Sequence, residues 1–293
     1  MKRLARLLTI CLLLPVAALA DPDDLYRTQA VVTGKGEANR QLGFRDCLDK
    51  AIVRVSGDQR LLAKPALEPF RQSTGHLVAS FTYRDRLSNV PIHDEQGSYD
   101  RPHDLTCVFD RAKLDAVLAD LGGRPWPAPR PTVVPLLAVE RGGKRFVLTS
   151  DASDGPFMDV SFTAAAGLVA VPIALPERAD LEQVGLDPQN LWLADPASLE
   201  RLATRVGGGV PLLGRLAWSD ADLGWVADWR IGFAGRAHDW QVRGVGFDEA
   251  FRVAMRGAAQ VLSGNGQPWR AQSPHWSSRA ARAKSPAIPE RQP

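Results

Sequence analysis

The chain has 293 residues, 45% of them hydrophobic and 24% charged, with 36 Lys and Arg against 33 Asp and Glu. That balance is too apolar and too evenly charged for a disordered chain, and too little apolar for a multi-pass membrane protein. The length gives one large domain or two ordinary ones, with ample chain to bury a core.

Residues 1–20 read as a secretory signal peptide. Lys2, Arg3 and Arg6 make a basic start, residues 7–19 an almost wholly apolar run, and Ala18-Leu19-Ala20 a small-x-small cleavage site. Cleavage after Ala20 exports the rest; a retained signal anchor is the alternative, for which the run is short. Cys11 follows Ile10 rather than a small residue, so it is not a lipid-attachment cysteine. No later segment reads as a membrane span: 164–175 is short and broken by Pro172. Lys2, Arg3 and Arg6 are three of the 36 basic residues, so the mature chain carries 33 charges of each sign. Such a chain is not expected to bind nucleic acid through a basic body.

Residues 21–123 form a first α+β domain. A strand at 25–32 and a Gly34-Lys35-Gly36 turn precede Phe44, Cys47, Leu48, Ala51, Ile52 and Val55, which recur at helical spacing until Ser56-Gly57-Asp58. A short helix falls within 64–72, with Pro65 near its start. Residues 81–84 are extended, and Leu105, Cys107 and Phe109 share one face of a strand. Asp110 then caps a helix with Leu114, Val117, Leu118 and Leu121 inward, ended by Gly122-Gly123. Residues 124–131, Arg-Pro-Trp-Pro-Ala-Pro-Arg-Pro, favour a stiff, extended connector.

A second α+β domain spans 132–265. Strands at 133–139 and 145–149 flank a Gly142-Gly143 hairpin turn. A helix over 157–166 and a buried strand over 168–173 follow, then a helix started by Asp195-Pro196 with Leu199, Leu202, Ala203 and Val206 inward. Strands at 212–218, 225–233 and 240–245 lead to a last helix at 248–262. The fold class is therefore α+β: two small layered domains, each a mixed or antiparallel sheet covered by helices, joined by the proline-rich linker. The tail, 266–293, is basic and proline-rich and reads as disordered. It is either a solvated extension or a weak contact for an anionic surface.

Chemistry-bearing patterns are sparse. No Gly-x-Ser-x-Gly, His-Glu-x-x-His or Cys-x-x-Cys occurs, and the Gly209–Leu216 segment lacks the Lys and Ser/Thr of a phosphate loop. His93, Asp94, Glu95, Asp100, His103 and Asp104 could gather around zinc or form a solvated loop. Asp220 and Asp222 lack the further oxygen ligands of a calcium loop and fit a turn. His238-Asp239 with Asp228 is the one thin acid–base grouping. No catalytic, cofactor-binding or metal residue is therefore assigned. Cys47 and Cys107 are either a disulfide, which would stabilise by roughly 4 kcal/mol in the chain-entropy model, or two buried thiols. Trp218, Trp225, Trp229 and Trp240 fall around one apolar sheet face, either a platform for sugar or peptide or core beneath helices.

The Ala51-Ile52-Val53-Arg54-Val55-Ser56-Gly57-Asp58 helix end, Phe81-Thr82-Tyr83, Arg130-Pro131 and Leu212-Leu213-Gly214-Arg215-Leu216 before a Trp-rich hairpin resemble the exported bacterial family known as domain of unknown function 2066. The second half is also similar to the amino-terminal domain of the Tol-system translocation protein and to curli-type assembly lipoproteins. The resemblance implies a periplasmic protein working through contacts with an envelope protein, and transfers no active-site residue. The leading expectation is a non-enzymatic interaction or assembly module, and the alternative a carbohydrate- or peptidoglycan-binding protein.

Overall fold

The computed structural model describes residues 22–89, 101–151 and 154–268. In β1 (Arg27–Thr33) exposed and buried residues alternate without a break, as in a strand covered on one face only. Its inward Ala30 and Val32 pack with Phe44, Leu48, Ala51, Ile52 and Val55 of α1 (Glu37–Ser56). α1 stops where Gly57 takes φ 71° and donates its N–H to the Val53 carbonyl at 2.8 Å, a left-handed cap that carries no Cβ penalty in glycine. Two short 3-10 turns take up 59–67, the second beginning at Pro65, and α2 (Glu68–Gln72) is the short helix expected within 64–72.

β2 (Val78–Asp85) and β3 (Pro102–Phe109) complete a three-stranded antiparallel sheet in the order β1-β3-β2. The Asp110 carboxylate accepts a hydrogen bond from the Lys113 N–H at 3.0 Å and starts α3 (Arg111–Asp120), the local capping its sequence predicts.

The second half begins with β4 (Val133–Arg141) and β5 (Lys144–Val147), and continues through α4 (Met158–Leu168), α5 (Arg178–Val184) and α6 (Pro196–Arg205). β6 (Val210–Ser219), β7 (Gly224–Phe233), β8 (Arg236–Val245) and α7 (Phe247–Leu262) follow. The five-stranded sheet has the order β5-β4-β6-β7-β8, with β4 and β6 parallel and the other neighbours antiparallel. Between parallel neighbours the chain must cross over the sheet, and α4, α5 and α6 lie in that crossover. α4 and α7 pack on one face, against Leu137, Leu212, Leu216, Trp229 and Ile231. α5 and α6 contribute to the other, against Val134, Leu136 and Leu213. Among the described residues seven α-helices and two sheets thus make two small layered α+β units.

One expectation changes here, and one element is added. The strand expected over 168–173 is absent: α4 runs through Leu168, and the segment adds one parallel bridge, Ile173 to Val133, because Pro172 has no N–H to give a ladder. α5, which the apolar pattern does not announce, begins where Asp180 accepts a hydrogen bond from the Glu177 N–H at 3.0 Å.

Candidate interaction surface

The proline-rich segment is fastened rather than free. Arg130 is buried, and its guanidinium donates to carbonyls from both halves. Nη1 reaches the Val169 oxygen just past α4 at 2.6 Å, and Nη2 reaches the Arg54 oxygen in the last turn of α1 at 2.8 Å. Helix C-termini carry unpaired carbonyls and a partial negative charge, so one cation satisfies two of them. Trp126 completes the setting, with its ring centroid 4.2 Å from the guanidinium carbon and its carbonyl accepting from Nη2 at 2.7 Å. Burial and the neighbouring Arg54 charge push Arg130 down to about 10. It remains protonated at neutral pH. Arg54 itself donates to the Gly167 carbonyl.

A second seam lies just past the same end of α1, at Asp58 and Gln59. The side chain of the fully buried Gln260 on α7 accepts from the Gln59 N–H at 2.9 Å and donates to Asp58 at 2.9 Å. Burial pushes the Asp58 carboxyl up, but hydrogen bonds from the Arg60 side chain, Gln260 and the Arg60 N–H outweigh it and hold Asp58 below the usual carboxylate range.

Beside the first seam, at Val169, a cleft of about 240 Å³ opens. Val53, Leu62, Ala165 and Val169 supply its apolar part, Asp46 and Asp49 one charged wall and Arg252 and Arg256 another. Each wall is neutralised on its own side. Arg71 holds Asp49 at 2.9 Å, and Arg252 lies 3.2 Å from Asp248.

Leu168 lines the cleft and belongs to a row along α4 that nothing described covers. Phe157 is 76% exposed, Val160 63% and Leu168 45%, and Ala164 is exposed between them. Val160, Ala164 and Leu168, four residues apart, lie on one face of α4, opposite the buried Met158, Phe162, Ala165 and Ala166, and Phe157 precedes them at the N-cap. Phe157 also adopts φ 67°, a left-handed conformation that costs a non-glycine residue about 1–2 kcal/mol. A bulky ring is thus held in a costly conformation and left in solvent. The sequence contains this row, but apolar residues on two opposite arcs of α4 do not show which arc is covered.

Of the residues singled out from the sequence, Cys47 and Cys107 are joined in a disulfide between α1 and β3, Cα atoms 6.4 Å apart and both fully buried. The four tryptophans do not form a solvent platform. Trp225, Trp229 and Trp240 are buried, with α7 and α4 over the sheet. Gly214 and Gly257 leave room for the Trp229 and Trp240 rings, which an added Cβ at either position would strike. Trp218 is 37% exposed, and the Arg141 guanidinium sits 4.8 Å from its ring centroid. His103 and Asp104 point to opposite faces by alternation; the His103 ring hydrogen-bonds the Arg101 carbonyl and Asp104 accepts from Arg84 at 2.6 Å. His238 and Asp239 are likewise split, and Asp239 is held by Arg230 at 2.7 Å. No group of three or more metal-ligating side chains gathers among the described residues. His93, Asp94, Glu95, Asp100, residues 1–20 and most of the tail lie outside them.

The fold and this surface define a two-unit α+β protein with an uncovered apolar helix face. Among the described residues no helix is long and apolar enough to cross a membrane. A family model described as Domain of unknown function (DUF8605) matches residues 20–127, the first unit and the first half of the proline-rich segment. That finding replaces the resemblance to domain of unknown function 2066, and no similarity to the Tol or curli domains is found. The residues that suggested them are a glycine-capped helix end and alternating strands, which layered α+β units produce generally. No curated protein and no solved structure matches the chain.

Proposed function

We propose that the protein is exported to the periplasm and serves as a non-enzymatic interaction module of the cell envelope, receiving a partner protein along α4 and in the adjoining cleft. The observation that carries this reading is the row Phe157, Val160, Ala164 and Leu168, uncovered and continuous with the cleft. A folded protein gains by covering such a row, and rows of this kind at helical spacing are recognised by apolar grooves or helices of partners. The strained φ at Phe157 supports it, since strain gathers where function opposes stability. The signal-like residues 1–20 and the buried disulfide support an oxidising compartment.

A photo-cross-linking amino acid at Val160, with one at the exposed Glu182 as control, tests the proposal in intact cells. A discrete protein adduct at Val160, absent at Glu182 and lost on Phe157→Asp, is expected. Equal labelling at both positions, or none at Val160, contradicts it.

A further inference from the structure

β8 is the outermost strand of its sheet, paired with β7 on one side and with no described strand on the other. It is ten residues long, and an open edge of that length is a template for another strand. The Ala234-Gly235 turn sets Phe233 opposite Arg236. From there hydrogen-bonded and non-hydrogen-bonded pairs alternate, so the N–H and C=O of Ala237, Asp239, Gln241 and Arg243 point away from β7. The Asp239 carbonyl shows that direction, accepting the Gln267 side-chain amide at 2.6 Å.

We propose that β8 pairs antiparallel with β8 of a second copy, about a two-fold axis at Gln241. Symmetry limits the registers, because each residue must meet one of the same side-chain face. An axis at Asp239 or Arg243 sets a charge against itself. An axis at Trp240 sets Asp239 opposite Gln241, and one at Val242 sets Gln241 opposite Arg243. Only the axis at Gln241 sets Asp239 opposite Arg243 of the second copy, and symmetry repeats the pair. Asp239 already meets Arg230 at 2.7 Å, and Arg243 meets Asp222 at 2.8 Å, so the charges of the two copies join in one alternating ladder. On the covered face the same register brings Trp240 opposite Val242, both buried apolar residues.

Pairs at 239, 241 and 243 exchange about six backbone hydrogen bonds, and the single bond from Gln267 gives way. Gly244, at φ 68°, forms a bulge where the register with β7 shifts, which ends the new ladder beyond Arg243. This surface is distinct from the α4 face, and its failure leaves the cross-linking at Val160 unaffected.

Sedimentation equilibrium of the purified exported chain, from micromolar to sub-millimolar concentration, tests the pairing. A dimer is expected. D239R and R243D should each weaken it at least about tenfold, because both symmetric pairs become repulsive. The double variant should restore it. Q241P removes an outward N–H while sparing the β7 ladder, and should leave a monomer. A wild-type chain monomeric throughout overturns the proposal, as does a dimer indifferent to these variants or a double variant no tighter than the singles.

Discussion

The two sheets are covered differently. Across β4 and β6 the five-stranded sheet has apolar contacts on both faces, and β4 is buried at every residue from Val133 to Val139. The three-stranded sheet has α1 on one face, while β2 is exposed at Ala79, Ser80, Phe81 and Thr82. The buried disulfide lies in the thinner unit, between its central strand and its main helix. Where two faces are covered, apolar burial carries the stability; where only one is, a cross-link and the junction with the neighbouring unit take a larger share.

Core truncations give the sharpest contrast. Trp229→Ala empties a fully buried site flanked by Phe162 and Phe251 and should cost about 3–5 kcal/mol in denaturant unfolding. Phe81→Ala, at a ring already 42% exposed, should cost less than about 1.5 kcal/mol. Equal losses would break the comparison. Next, replacing Cys47 and Cys107 together by Ala should cost about 2–4 kcal/mol. Because both sulfurs are fully buried, reductant should act on the native protein only as fast as the first unit opens. Fast reduction without unfolding would contradict the packing.

The junction comes third. Arg130→Met keeps the bulk but leaves the Val169 and Arg54 carbonyls without their donor. A loss of about 2–3 kcal/mol is expected, with the two units unfolding less together than in the wild type. A smaller effect belongs to Asp58. Its folded pKa lies below its unfolded value, so its contribution is present above the unfolded carboxylate range and lost as pH falls through the folded pKa. Asp58→Asn should cost about 1–2 kcal/mol at neutral pH and flatten that acid limb. An unchanged acid limb would place the pH dependence elsewhere.

Much of this fold is legible in the chain. Period-two alternation marks β1 and β7, helical spacing marks α1 and α7, and Asp110 and Asp195 mark helix starts through caps that form as written. The covering of those elements is less legible. Alternation gathers Trp225 and Trp229 on one face but does not say that α4 and α7 lie over it. Apolar residues on two opposite arcs of α4 hide which arc faces water. Arg130 reads as one residue in a proline run, because the acceptors that join the two units are backbone carbonyls from residues 76 and 39 positions away, which no local pattern encodes. Cys47 and Cys107 carry the two right residue types without their distance.

The central claim is that α4 holds an apolar row in solvent for a partner. Phe157→Gly tests it most directly, read for stability and for the Val160 adduct in the same cells. Glycine accepts φ 67° freely, and the exposed ring buries little. The account predicts a gain of about 0.5–1 kcal/mol together with loss of the adduct. A variant that is destabilised and still forms the adduct would contradict it.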